Sequence, residues 1–524
     1  MKRFMGATMA TVLLVSGLAG CSGEKKATGG KEKLTYWTGI NVNAVSVIQN
    51  YDELLMYQEI EKKFNVDLEF KHPPVGQNTE QFNLMIASRD LPDIMECNWL
   101  KEYSGGPGKA ISDGIIVSIN DLIDGGKAPN LKKVLDENPN LAKELKTDKG
   151  EYYVFPSIAD RNYTNFGGFY LRKDWLDELN LEVPETVEEW ETVLRAFKEK
   201  KGASAPFSVI KEYMFESDNN IWVPAFGVAM HFYLDNGVVK FGPMEEGYKN
   251  YITLMKKWMD EGLLDQDVVS NDWKIVDSKM LSGKTGAGFG AVGAKFGKYM
   301  TLAKEGGDTA FDLVAAPQIS AVKGEKTGFG NYSPVYSGAN SAALTTKNKN
   351  KELSAQVLDY FYSDEGNILA NFGVGGVTFN DENGYPRYTE LITKNPDGLA
   401  MAQAMSKYMR VNTGAPGYTN RPEYLEQYYE FEGQKEAIKI YNANSELNEK
   451  NFYPAAASLT PEESSEYASL LNEINTYRYE MLVKFLLGTE PIENYDKFVQ
   501  TMNDLGMQRV LEIKQAAYDR YNNR

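Results

Sequence analysis

The chain has 524 residues, a formal net charge of −17 and 12% aromatic residues, with two Cys and two His. That acidity excludes a nucleic-acid partner, because phosphate binding needs clusters of Lys and Arg that release counterions. The length exceeds a usual single core of about 250–300 residues, so at least two lobes are expected.

The chain opens on Met1-Lys2-Arg3, and Phe4 to Ala19 is apolar or small throughout. A run of roughly 16 such residues with a cationic flank reads as a signal peptide over 1–20, since a membrane span needs about 20. It exits through Leu18-Ala19-Gly20-Cys21. Residues 21–33, small, charged and glycine-containing from Ser22 to Lys33, suit a flexible tether. Removing Met1 to Gly20 takes away Lys2 and Arg3 and moves the charge from −17 to −19.

Strand and helix signals then alternate. Lys33 to Trp37 reads as a strand, Tyr51 to Phe64 carries apolar residues at helical spacing, and Val66 to Phe70 alternates as a strand does. A helix near Glu80 to Ser88, a turn at Asp90-Leu91-Pro92-Asp93 and apolar Ile94-Met95 follow. This β-α-β-α order predicts a largely parallel sheet covered by helices, with ligands outside the carboxyl ends of its strands. Trp37 and Asn98-Trp99 fall at those ends. The excess of Tyr (32) over Phe (24) favours surfaces where an apolar ring carries a polar edge. A sugar offers the same mixture, with C–H faces and hydroxyl rims.

The string Phe64 to Glu69 and then Met85 to Ile94 resembles the first lobe of the family 1 extracellular solute-binding proteins. Gly150-Glu151-Tyr152-Tyr153-Val154-Phe155-Pro156 resembles their first interlobe crossing, and Phe169 to Leu181 with Val183 to Trp190 the opening of their second lobe. Trp258 to Asp265 and the segment Asn348 to Gly366 recur in the same order. The length is closest to the long branch of LipO-like lipoproteins and alginate-binding proteins of ABC importers.

The resemblance implies the α/β periplasmic-binding-protein type II fold, two lobes joined by three crossings. Residues 34–155 plus 318–347 would form one lobe and 156–317 plus 348–524 the other. It implies a lipobox at Leu18 to Cys21, with Cys21 lipidated and the protein held on the outer face of the cytoplasmic membrane by its acyl chains alone. With Cys21 acylated, Cys97 has no intrachain partner, which excludes disulfides and multi-cysteine metal sites. It further implies a monomer that performs no chemistry, takes no cofactor and passes an oligosaccharide to ABC importer permease subunits. A surface-anchored polysaccharide-processing enzyme, or a binding protein for a peptide or other non-sugar ligand, are the alternatives.

One departure stands out. Long members of the family often carry a calcium loop after the Trp190-type helix. Here that segment, Lys198 to Pro206, is basic and offers one carboxylate, whereas calcium takes 6–8 oxygen ligands. No metal site is expected.

Motifs for chemistry are thin. Gly288 to Gly293 fits GxGxxG, yet a dinucleotide fold needs it early in a βαβ unit; a loop lining a lobe, with close backbone approach, is the plainer reading. Ser282-Gly283-Lys284-Thr285 lacks the first glycine of a P-loop. There is no HExxH or GxSxG, and His72 and His231 are isolated.

Trp175, Trp190 and Trp258 sit among apolar neighbours at helical spacing and read as packing. For the ligand, the candidates are Trp37, Trp99, Trp222, Trp273 and Phe289 as stacking rings. Tyr163, Asn165, Tyr332 and Tyr336 lie near the crossings. Arg161 and Arg421 are positioned to read a carboxylate on an acidic sugar.

Overall fold

The computed structural model describes residues 30–524 except 218, 219, 221, 331 and 411–413. The signal peptide, Cys21 and the tether up to residue 29 lie outside the described residues. In chain order the strands are β1 (Glu32–Trp37), β2 (Val66–Lys71), β3 (Ile94–Cys97), β4 (Ser157–Ala159), β5 (Gly167–Arg172), the hairpin β6–β7 (Phe232–Asp235 and Val238–Phe241), β8 (Ala287–Ala291), β9 (Leu313–Ala315), β10 (Ser341–Leu344), the hairpin β11–β12 (Phe379–Glu382 and Tyr385–Tyr388) and β13 (Gly417–Thr419).

The first sheet has the order β10-β3-β1-β2. β1 runs parallel to β2 and β3, with Leu34 opposite Leu68 and Tyr36 opposite Ile94, while β10 is antiparallel to β3. The period of two read from the sequence is the burial pattern: Val66, Leu68 and Phe70 point inward and Asp67 outward. The helix expected over 51–64 forms as a 3-10 turn, Tyr51–Glu53, followed by the helix Leu55–Phe64. Asn50 caps the turn, and Asn65 ends the helix at φ 51°, a left-handed conformation Asn tolerates better than most residues.

The second sheet, β8-β5-β9, is antiparallel. The glycine-rich motif is not the loop its sequence suggested. Gly288 and Gly290 lie in β8, where a Cβ would meet the Tyr170 hydroxyl at 2.9 Å and the Lys295 side chain at 2.5 Å. Those glycines make room for protein side chains, and no cradle for a pyrophosphate remains. Beneath the sheet, Trp190 and Trp258 are fully buried, as their helical spacing predicts.

Residues from 351 to 428 lie on the other side from the one the sequence reading gave them. The helix Lys351–Asp359 packs on β10, the helix Leu55–Phe64 and the helix Pro129–Glu137. The Asp359 carboxylate accepts from the backbone N–H groups of Asn130 (3.2 Å) and Leu131 (2.7 Å), capping that helix from afar. Arg410 forms a buried two-pronged ion pair with Glu96 of β3, at 2.6 and 2.9 Å. Residues 351–428 therefore extend the first unit, where the sequence division had assigned them to the second. Only from the helix Glu432–Asn442, packed on β5 and β9, does the chain return to the second sheet. The helix Pro461–Leu487 then buries Leu482, Phe485 and Leu486, and the helix Tyr495–Asp504 buries Phe498 and Met502, the faces read from their periodicity; Leu505, beyond its end, is half-buried.

The chain thus passes between the units three times, over 157–166, 316–340 and 429–431. β4 and β13 pair in parallel, Tyr418 opposite Ile158. The Ala159 N–H on β4 donates to the Val335 carbonyl at 3.0 Å, so the middle crossing joins the same ribbon. A second bridge between the units lies at the C-terminus. There Arg524 binds the Asp148 carboxylate (2.7 Å) and the Lys146 carbonyl (2.7 Å), and Lys143 reaches the Asn522 side chain at 3.0 Å. None of the described helices is long and apolar enough to cross a membrane.

Candidate functional site

Above the crossing ribbon the units enclose a cleft of adjoining chambers of about 800 and 560 Å³, a third of about 240 Å³ lies against the second unit and the middle crossing, and Tyr332 on that crossing lines all three. Ile158, Ala159, Val335, Tyr418 and Thr419 line the largest, which is therefore built on the crossing segments themselves. The first unit contributes a wall from Glu137 to Glu144, where Pro139 opens the short helix Pro139–Glu144 with a φ already suited to it. The second unit contributes Glu446, Glu449, Phe452, Pro454, Ala455 and Ala456. Tyr332 packs against Phe452 with ring centroids 4.8 Å apart and the planes tilted by 59°, which restrains its ring. Asn138, Asn140 and Asn367 stand among Tyr332, Tyr362 and Tyr418 on the walls of the largest chamber. Ring faces beside amide donors and acceptors suit a ligand with apolar faces and hydroxyl edges.

The charges are arranged in pairs. Arg161 binds Glu449 through both terminal nitrogens. Arg421 binds Glu423 through Nε (3.1 Å) and Nη2 (2.8 Å), and its Nη1 donates to Asn367 at 2.9 Å. Glu144 is half-buried and has no hydrogen-bond or ion-pair partner among the described residues. The protein mass around it, with the nearby Glu449 charge adding to the effect, pushes its pKa up to about 7. Burial likewise raises the Tyr332 phenol, which stays a neutral donor.

Of the residues expected to hold ligand, the structure brings Arg161, Tyr332, Tyr336 and Arg421 to this cleft. Tyr336 is buried with its hydroxyl 3.1 Å from that of Tyr153, so it offers the cleft a ring rather than a free donor. Trp37 lines a separate groove of about 300 Å³ at the carboxyl ends of β1 and β3, with Thr38, Asn98 and Asn340.

Six others are placed elsewhere. Trp99 is fully buried, packed on Phe82 with its indole N–H on the Met95 carbonyl. Trp222 lies 1% exposed among Phe169, Trp190, Phe207 and Trp258, with ring centroids 4.6–5.5 Å away, and belongs to the second core. Phe289 is buried between Phe169 and Tyr213. Trp273 is half-buried, and the Lys295 ammonium occupies one face of its ring at 4.0 Å, leaving no room there for a sugar. Tyr163 is half-buried on the 3-10 turn Arg161–Tyr163, which packs against the helix Glu432–Asn442. Asn165 is buried, its amide on the Tyr441 carbonyl and its backbone N–H on Asn442, fastening the first crossing to the helix Glu432–Asn442.

Glu144, Asn138, Asn140, Tyr362 and Tyr418 were not singled out from the sequence. Tyr418 had a readable signal, a tyrosine beside Gly417, which sits at φ 102° where a Cβ would strike Phe361. The others are brought together only by the fold. Among the described residues, no group of three or more His, Cys, Asp or Glu is arranged to hold a metal ion.

The sequence profile of the bacterial extracellular solute-binding proteins matches residues 46–368. The chain belongs to that family. The chain is similar to the fructooligosaccharide ABC transporter substrate-binding protein FusA of Streptococcus pneumoniae serotype 4 (strain ATCC BAA-334 / TIGR4), at 26% identity over 90% of this chain and 87% of FusA. It is 24% identical, over 97% of both chains, to the polygalacturonan/rhamnogalacturonan-binding protein YtcQ of Bacillus subtilis strain 168. Among solved structures, an HMO-binding solute-binding protein from Bifidobacterium longum infantis superposes with a TM-score of 0.76 at 20% identity, covering 94% of this chain and 99% of that one. The fold is that of the type II solute-binding proteins, and the cleft between the units is the space the two lobes of such a protein enclose.

Proposed function

We propose that this solute-binding protein captures an oligosaccharide outside the cytoplasm and delivers it to the permease subunits of an ABC importer. The observation that carries the reading is the cleft itself: chambers meeting at Tyr332, floored by the crossing ribbon and lined by tyrosines and asparagines. The named ligands of FusA and YtcQ are carbohydrates, which supports the same class here. A ligand held by both units favours the closed arrangement by the difference in its affinity for the two states, and the permease would read that closed form. Cys21, acylated as the lipobox-like exit suggests, would tether a monomer to the outer face of the membrane. Replacing Cys21 by Ser should release the protein to the medium; a variant that stays on membranes through a salt wash contradicts the anchor.

One observation favours a second reading. Glu144 holds its proton toward neutral pH with the Arg161-bound Glu449 carboxyl nearby, and glycoside hydrolases use two carboxyls at one cleft as acid and base. Incubation with a panel of plant, algal and fructosyl oligosaccharides separates the two. The transport reading expects a rise in melting temperature with the sugar recovered intact. Shortened products would establish the hydrolase, and a panel without any shift would remove carbohydrate as the ligand.

A further inference from the structure

The likeness to FusA and to YtcQ leaves open whether the sugar is neutral or a uronate, and the side chains of the cleft decide between them. A site for uronates presents free guanidinium groups, because the planar fork of Arg matches a carboxylate with two parallel hydrogen bonds. The largest chamber has two arginines, and each already makes that contact with a protein carboxylate. Arg421 spends Nε and Nη2 on Glu423 and Nη1 on Asn367. Arg161 spends both terminal nitrogens on Glu449. To engage an incoming carboxylate, either arginine would have to give up these bonds, and its glutamate would then stand as a like charge beside the incoming anion at the wall.

The carboxyls that remain point the same way. Glu137, Asp160 and Asp364 line this chamber without a basic partner among the described residues, beside Glu144, which holds its proton toward neutral pH. A uronate would meet like charge there, and like-charge juxtaposition is how a site rejects a wrong ligand. Lys514 lines the smallest chamber, its ammonium over the Tyr453 ring at 3.6 Å, and two lysines line the chamber of about 560 Å³. Lys143 is held over the Tyr521 ring at 4.5 Å and on Asn522, and Lys450 sits on an exposed stretch at the rim. Neither belongs to the chamber over the crossings.

We infer that the cleft selects uncharged oligosaccharides and excludes uronate-bearing ones, the arginine–carboxylate pairs serving as hydroxyl-reading walls rather than anion receptors. The inference rests on the carbohydrate reading of this cleft. Paired in this way, Glu423 and Glu449 still offer lone pairs to sugar hydroxyls, and Asn138, Asn140 and the Tyr332 phenol add donors.

Calorimetry on the full soluble chain tests it, with fructosyl, galactosyl and milk-type oligosaccharides set against oligogalacturonate and alginate oligosaccharides of equal length. We expect at least one neutral sugar to bind and every uronate to bind at least tenfold more weakly, the gap widening at low salt as screening falls. Combined Glu423→Gln and Glu449→Gln, which release both arginines, should narrow that gap by strengthening uronate binding. A wild-type protein that binds a uronate as tightly as any neutral sugar overturns the inference and leaves the transport reading intact. Binding of no saccharide at all removes the carbohydrate reading and this inference with it.

Discussion

Glu144 shows how one side chain sets a pH response. Its folded pKa of about 7 stands above the 4.5 of an ordinary glutamate. A carboxyl whose pKa rises on folding holds its proton more tightly in the folded state. Its contribution to stability is intact below 4.5 and is lost as the pH climbs through 7. Glu144→Gln should therefore melt with the wild type at pH 4.5 and above it at pH 8, and a difference independent of pH would refute the assignment. Two aromatic residues make a contrasting pair. Trp222→Ala empties a fully buried site and should cost about 3–5 kcal/mol of stability, read from denaturant titration. Tyr332→Ala should leave the melting temperature nearly unchanged and weaken ligand at least tenfold. The opposite pattern would exchange their roles. Sequence could not separate the two: both tyrosine and tryptophan stand near Gly and Pro in irregular stretches, and what buries Trp222 is the meeting of Phe169, Trp190, Phe207 and Trp258 from distant segments. Arg421 was half legible, since Glu423 lies two residues on in Arg421-Pro422-Glu423. The partner of Arg161 lies 288 positions away, beyond any local reading.

Among the elements, those with a strong period were read well. The strands at 33–37 and 66–70 and the helices at 51–64 and 80–88 formed with boundaries shifted by a few residues, because alternation and helical spacing are local properties. The segment 351–428 was misassigned because its partners, Asn130, Leu131 and Glu96, are contacts no periodicity announces. The helix Val187–Lys201 carries a further consequence. It ends at Gly202 in the left-handed conformation, φ 68°, and its last turn is basic. Lys198 donates to the Glu261 carbonyl, Lys201 pairs with Glu178, and Arg195 pairs with Glu261. Ammonium and guanidinium groups bind the acceptors here, so the segment needs no divalent ion to hold its neighbours. Chelator should leave the melting temperature within about a degree, and added calcium should not raise it, since a bound ion would stabilise by mass action. A clear fall with chelator would contradict this.

For the molecule as a whole, the C-terminus matters more than its position in the chain suggests. The Arg524 side chain is 2% exposed, pressed between Asp148 and the Lys146 carbonyl of the opposite unit. Removing the Arg524 side chain leaves Asp148 and the Lys146 carbonyl without that partner, and a small shift can repopulate open and closed forms separated by little energy. Arg524→Ala should enlarge the radius of the ligand-free protein in small-angle scattering, while ligand should restore the compact form. An unchanged radius would show that the crossing ribbon alone sets the resting angle.

That ribbon also governs how the protein is made. Thr419 on β13 hydrogen-bonds the Ile158 carbonyl on β4, a contact spanning 261 positions. The first sheet likewise waits for β10 before its edge is covered. A chain emerging from its N-terminus can assemble β1, β2 and β3 early, but it cannot seal the floor of its own cleft until β13 has appeared. Contacts of such separation slow folding, because loop closure must be met before they reward it. The binding site thus cannot exist until most of the chain has emerged, and a chain cut short before Gly417 would be a sheet without a floor, open to proteolysis where the complete protein is shut.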